Sequence, residues 1–110
     1  MSNGNSDSGD DYTALCQVED VAPGQIVAFR VGNNRIAVAN VDGSFHAFDD
    51  ACTHAACPLS EGTLTANILR CRCHSSQFDV VTGEVIAEPA EDPLIIHKVR
   101  VVARTVEIRT

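Results

Sequence analysis

Cys52-Thr53-His54-Ala55-Ala56-Cys57 and Cys71-Arg72-Cys73-His74-Ser75-Ser76 are the two stretches on which the reading of this chain turns. Together they hold four of the five cysteines and two of the four histidines of a 110-residue chain. Sixteen residues separate His54 from Cys71, enough for a hairpin that carries two loop tips to one place. Two thiolates and two imidazoles gathered there form an N/S donor set suited to zinc or to an iron–sulfur cluster. Structural zinc sites commonly take donors two to four residues apart. Cys-x-His leaves one residue between donors, and in an extended segment their Cα atoms stand roughly 6–7 Å apart. That is awkward for one tetrahedral ion and natural when each donor binds a different metal of a dinuclear cluster. A structural zinc module stays open as the alternative.

Working outward, residues 49–93 also contain three of the four prolines and read as irregular chain that something other than burial must hold in place. Both flanks read as strands. Residues 25–31 and 35–41 are β-branched runs joined by Gly32-Asn33-Asn34, and Asp42-Gly43 is a strong hairpin signal leading into 44–48. Residues 97–102 and 105–110 supply two more strands, and no segment keeps a helical apolar period over three turns. The expectation is an all-β domain over 12–110, with the region that a metal group would order at about 49–93. Residues 1–11, rich in Ser, Asn, Gly and Asp, read as a disordered acidic leader.

Charge and hydropathy narrow the function. Eight Lys+Arg against fifteen Asp+Glu give a formal charge of −7, which argues against nucleic acid or an anionic membrane as partner. No window approaches a membrane span, and the N-terminus lacks a secretory signal, so a cytoplasmic location is expected. With no Trp, one Tyr and four Phe the core is thin, and small domains in that position commonly use a disulfide or a metal as a staple.

Cys-x-His, sixteen residues and Cys-x-x-His resemble the signature of the Rieske [2Fe-2S] family. The likeness continues through His74-Ser-Ser-Gln-Phe78-Asp79, Thr82-Gly83, Pro58-Leu59-Ser60-Glu61-Gly62 and Glu88-Pro89-Ala90, the last resembling the family's proline loop. It spans roughly residues 13–110. The resemblance implies a Rieske-type fold, with small antiparallel sheets in a sandwich or barrel-like base carrying a cluster-binding subdomain. It implies one [2Fe-2S] cluster per chain, with Cys52 and Cys71 on the inner iron and His54 and His74 on the outer. Two neutral imidazoles in place of two thiolates make the oxidised core less negative. The potential then rises from about −400 mV for an all-Cys plant-type cluster to within about −150 to +300 mV. The second ring nitrogens would face solvent and couple reduction to proton uptake.

The family also supplies readings for the neighbours of these ligands. Cys57 and Cys73 match the pair that forms a disulfide in the respiratory-complex branch. Ser76 matches a Ser whose hydroxyl points at a bridging sulfide and raises the potential, whereas Phe78 replaces a Tyr donor. An upper-middle Rieske potential is the expectation. Ser75 stands where the family has Gly, so the loop must avoid a positive φ there. Ala55 and Ala56 replace the Leu and Gly of the quinol-oxidising branch.

Cys16 reads as a buried inert thiol, His46 and His97 as structural or surface histidines, and Asp79 as a turn-capping residue. Arg72 is either a tuning or guiding residue or a solvated loop arginine. Asp49, Asp50, Glu61, Glu88, Glu91 and Asp92 read either as a negative docking rim for a basic partner or as ordinary solvated loop charges. No nucleophile triad, P-loop or dinucleotide fingerprint is present, so an electron carrier rather than an enzyme is expected, with no catalytic residues. The first functional expectation is a soluble ferredoxin, an oxidoreductase component that passes one electron from a reductase to a non-haem iron oxygenase or similar acceptor. The second is a soluble Rieske subunit stably docked to a larger respiratory or oxidase-type enzyme.

Overall fold

The computed structural model describes residues 12–53, 57–73 and 75–109. The leader read into residues 1–11, the expected ligands His54 and His74, and the Ala55-Ala56 replacement lie outside the described residues.

Six strands form the base: β1 (Tyr12–Gln17), β2 (Ile26–Val31), β3 (Asn34–Val41), β4 (Ser44–Asp49), β9 (Ile96–Val102) and β10 (Thr105–Arg109). They are ordered β1-β10-β9-β4-β3-β2, and the paired neighbours are antiparallel. The turns obey the sequence. Val31 pairs with Asn34 across Gly32-Asn33, and Val41 pairs with Ser44 across Asp42-Gly43. Asp42 and Gly43 take φ of 52° and 93°, the left-handed pair that a two-residue hairpin needs and that Asp-Gly supplies cheaply.

The thin core is two cores that share a wall. Along β3 the side chains alternate: Ile36 and Val38 enter one cluster, Ala37 and Ala39 the other, and all four are fully buried. In the first cluster Ile36 and Val38 meet Cys16 of β1, Ala47 of β4 and Val106 and Ile108 of β10, with Val27 and Phe29 of β2 and Val99 of β9 packed against it. Side chains from all six strands reach one cluster because the sheet curls around it. That is the barrel-like base.

Four shorter strands fill part of the segment read as irregular: β5 (Thr63–Thr65), β6 (Ile68–Arg70), β7 (Gln77–Asp79) and β8 (Val85–Ala87), ordered β5-β6-β7-β8. This corrects the expectation of unstructured chain across 49–93. Three-residue strands carry too little periodicity to be seen against surrounding Gly, Pro and Cys. The hairpin expected between His54 and Cys71 is the β5–β6 pair. Leu69, Phe78 and Val80 from this small sheet region pack on Ala37, Ala39 and Phe48 of the base. Alanines on that face of β3 let the second sheet approach closely.

Candidate metal centre

The same alternation that builds the strands delivers the two thiols. From Phe48 to Thr53 burial runs in a two-residue period, with Phe48, Asp50 and Cys52 inward and Asp49, Ala51 and Thr53 less buried. Leu69 and Cys71 likewise point in while Arg70 and Arg72 point out. Cys52 and Cys71 are each only 2% exposed and enter one core cluster with Leu59, Leu69, Phe78 and Ala90. Two buried thiols outside any disulfide, brought into one cluster from two different loops, suit a shared soft metal group. Among the described residues no group of three His, Cys, Asp or Glu gathers, since both histidines of the expected set fall outside them.

The two loops are built alike. Cys52 N–H donates to Cys57 O (2.8 Å), and Cys71 N–H donates to Ser76 O (2.9 Å), so each of these buried cysteines is tied to the residue five places on. Cys57 and Cys73 are joined as a disulfide with Cα atoms 6.3 Å apart, tying loop to loop. Ser75 takes no positive φ, as its replacement of Gly required. Ser76 is fully buried, and its Oγ accepts from Ala90 N–H (2.9 Å), which anchors the 88–92 loop and leaves the hydroxyl proton to donate elsewhere. Thr53 Oγ1 donates to Asp92 O (2.7 Å), a tie from that loop to the Cys52 loop.

A short 3-10 turn, Leu59–Glu61, stands between the two loops. Leu59 is buried in the core, Ser60 bonds to Asp50, and Glu61 pairs with Arg72 (2.7 Å). A Cβ on Gly62 would collide with the Arg70 carbonyl, which accounts for glycine at that close approach. Arg72 is thus an ion-paired loop residue. It shares with Arg70 the rim of an open depression of about 380 Å3.

The six acids read as a docking rim divide. Asp50 is buried, Asp49 bonds to His97 Nε2 (2.6 Å), and Glu61 is paired with Arg72. Glu88, Glu91 and Asp92 are exposed. Asp79 caps the 80–83 turn, accepting from Val81 N–H (2.8 Å) and Thr82 N–H (3.4 Å). Burial would raise its pKa, but those bonds, one from Asn67 and the charge of His46 together hold it below the usual carboxylate value. Burial lowers the pKa of His46 against the pull of Asp79. In the base, burial and then the nearby Asp20 charge push the Cys16 thiol up to about 11, so it is inert at neutral pH. The contact that sequence reasoning missed is Asp50 with Arg35 and Ser60; its signal was the two-residue period running on from Phe48 through Asp50 to Cys52.

The comparisons with known proteins agree with this geometry. The Rieske [2Fe-2S] domain model matches residues 11–103. The chain is 36% identical over 96 residues to the biphenyl dioxygenase ferredoxin subunit of Pseudomonas sp. (strain KKS102), covering 86% of this chain and 88% of that one. It is 43% identical over 82 residues to the ferredoxin component of biphenyl 2,3-dioxygenase from Rhodococcus jostii (strain RHA1), covering 74% and 77%. A chain of the solved complex of reduced oxygenase and oxidized ferredoxin in carbazole 1,9a-dioxygenase superposes with a TM-score of 0.84 at 35% identity, over 90% of this chain and 93% of that chain. No helix among the described residues is long and apolar enough to cross a membrane. With a family match over nearly its whole length and a fold built to present two buried cysteines from paired loops, the chain belongs to the Rieske [2Fe-2S] domain family.

Proposed function

We propose that this protein is a one-electron carrier that holds one Rieske [2Fe-2S] cluster and feeds a non-haem iron oxygenase, receiving its electron from a reductase. The observation that carries this is the pair of buried cysteines, Cys52 and Cys71, at the mouths of two matched loops in a chain 36% identical to a dioxygenase ferredoxin subunit. Cys52, His54, Cys71 and His74 are the ligands. When bound, such a cluster supplies one-electron chemistry with every ligand position filled, so the protein carries electrons and converts no substrate. The chain's own work is to hold two thiols out of water, to keep the two loops together through Cys57–Cys73, and to aim the Ser76 hydroxyl inward. A cytoplasmic location fits this role.

A second reading, a Rieske subunit stably docked to a larger redox enzyme, is favoured by the Cys57–Cys73 disulfide, a feature resembling the respiratory-complex branch. Pull-down separates the two. A carrier gives transient turnover that weakens with salt, whereas a subunit copurifies with its enzyme. Metal analysis tests the centre itself: two irons and two acid-labile sulfides per chain are expected, and zinc without sulfide would dismiss the proposal.

A further inference from the structure

A carboxylate buried in a domain this small calls for an explanation, because desolvating a charge is expensive unless its partners compensate. The Asp50 side chain is 0% exposed. Its Oδ1 accepts from Ser60 N–H (2.7 Å), and its Oδ2 from Ser60 Oγ (2.9 Å) and from Arg35 Nη2 (3.1 Å) and Nε (3.3 Å). Arg35 returns to the same residue through its carbonyl, which accepts from Asp50 N–H (3.0 Å). We infer that Asp50 is a positioning residue for the metal centre: it locks the first ligand loop to the Leu59–Glu61 turn and sets a buried negative charge, balanced from the surface by Arg35, beside Cys52.

Three observations carry this. Asp50 lies two residues before Cys52, so their Cα atoms are at most about 7 Å apart along the chain. Ser60, its partner, belongs to the turn whose next residue, Glu61, pairs with Arg72 of the second ligand loop. Holding Asp50 to Ser60 therefore ties the first ligand loop to a turn that meets the second through an exposed ion pair, alongside the disulfide. Finally, the ion pair is asymmetric, with Arg35 54% exposed and Asp50 enclosed. Water screens the cation more than the anion, so the buried end keeps a net negative field that opposes adding an electron nearby. A neutral hydrogen-bonding residue could close the same turn; the charge is what Asp50 adds.

The inference rests on the function proposed above, and its test separates the two. Asp50→Asn, Arg35→Gln and Ser60→Ala are made in the full chain, and redox midpoint and rate of iron release to a chelator are measured. Asp50→Asn removes the negative charge and should raise the midpoint. Arg35→Gln removes the balancing cation and should lower it. Ser60→Ala keeps both charges and the backbone bond to Oδ1 but loses the Oγ bond to Oδ2, so its midpoint should stay while iron is released measurably faster. Should Asp50→Asn fail to fold, the direction of the Arg35→Gln shift and the release rate of Ser60→Ala decide. Unchanged release in Ser60→Ala overturns the inference, as do midpoints of the two charge variants that stay put or move the same way. Absence of a [2Fe-2S] cluster from the wild-type protein would overturn the function instead.

Discussion

Ser76 shows how much rests on one hydroxyl. Its Oγ accepts from Ala90 N–H inside the core, and Ala90 itself is 1% exposed. Ser76→Ala strands that amide without an acceptor, so unfolding free energy from urea titration should fall by about 1–3 kcal/mol. Under the proposed function the same substitution also removes a buried hydroxyl donor, and the midpoint should fall with it. Cys16 supports a pH prediction. Its pKa is raised to about 11, so the folded state holds the proton more tightly than the unfolded chain. Stability from this group is full below the ordinary thiol value near 9 and is lost as pH climbs through about 11. Thermal midpoints of wild type should therefore drop more steeply between pH 9 and 11 than those of Cys16→Ala, and parallel curves would refute the raised pKa.

At the level of elements, the two ligand loops are held by ties of different strength. The Cys57–Cys73 bridge spans a sequence separation of 16. Constraining the unfolded chain over such a loop is worth about 3 kcal/mol, so the double Cys57→Ala/Cys73→Ala variant should lose about that much in denaturant titration. Free alkylation of both thiols in the untreated protein would refute the bridge itself. Gly62→Ala drives a methyl into the Arg70 carbonyl, and overpacking against backbone should cost about 1–3 kcal/mol in the same assay.

The elements also show what could be read in advance. The hairpins at Gly32-Asn33 and Asp42-Gly43 were legible because turn chemistry and alternation agree there. Strands β5 to β8 were not, since three residues make less than two full alternations. Cysteine spacing made the paired loops legible, whereas for Asp50 the two-residue period announces the burial but not the partner, because Ser60 lies ten residues on across a turn. Formal charge alone does not reveal which of the six acids are already paired or buried, as Asp49, Asp50 and Glu61 are.

For the molecule as a whole, the division of labour is between a barrel-like base with its own core and a small sheet that shares a second core with the cysteines. The wall between them is β3, buried on both faces, so the small sheet packs directly on the base. Of the six acids, Glu61 is exposed and paired with Arg72; Glu88, Glu91 and Asp92 are exposed in the 88–92 loop, and Arg70 and Arg72 line the depression at the Cys71 loop. A protein partner meeting this end would face charge of both signs, and turnover should weaken as ionic strength rises.

The most direct test of the account is a redox titration of the purified protein followed by electron paramagnetic resonance. A one-electron reduction giving a [2Fe-2S] signal, with a midpoint within about −150 to +300 mV, is the predicted result. A silent, colourless protein, or a cluster titrating near about −400 mV as expected for ligation by cysteine alone, would contradict ligation by Cys52, His54, Cys71 and His74.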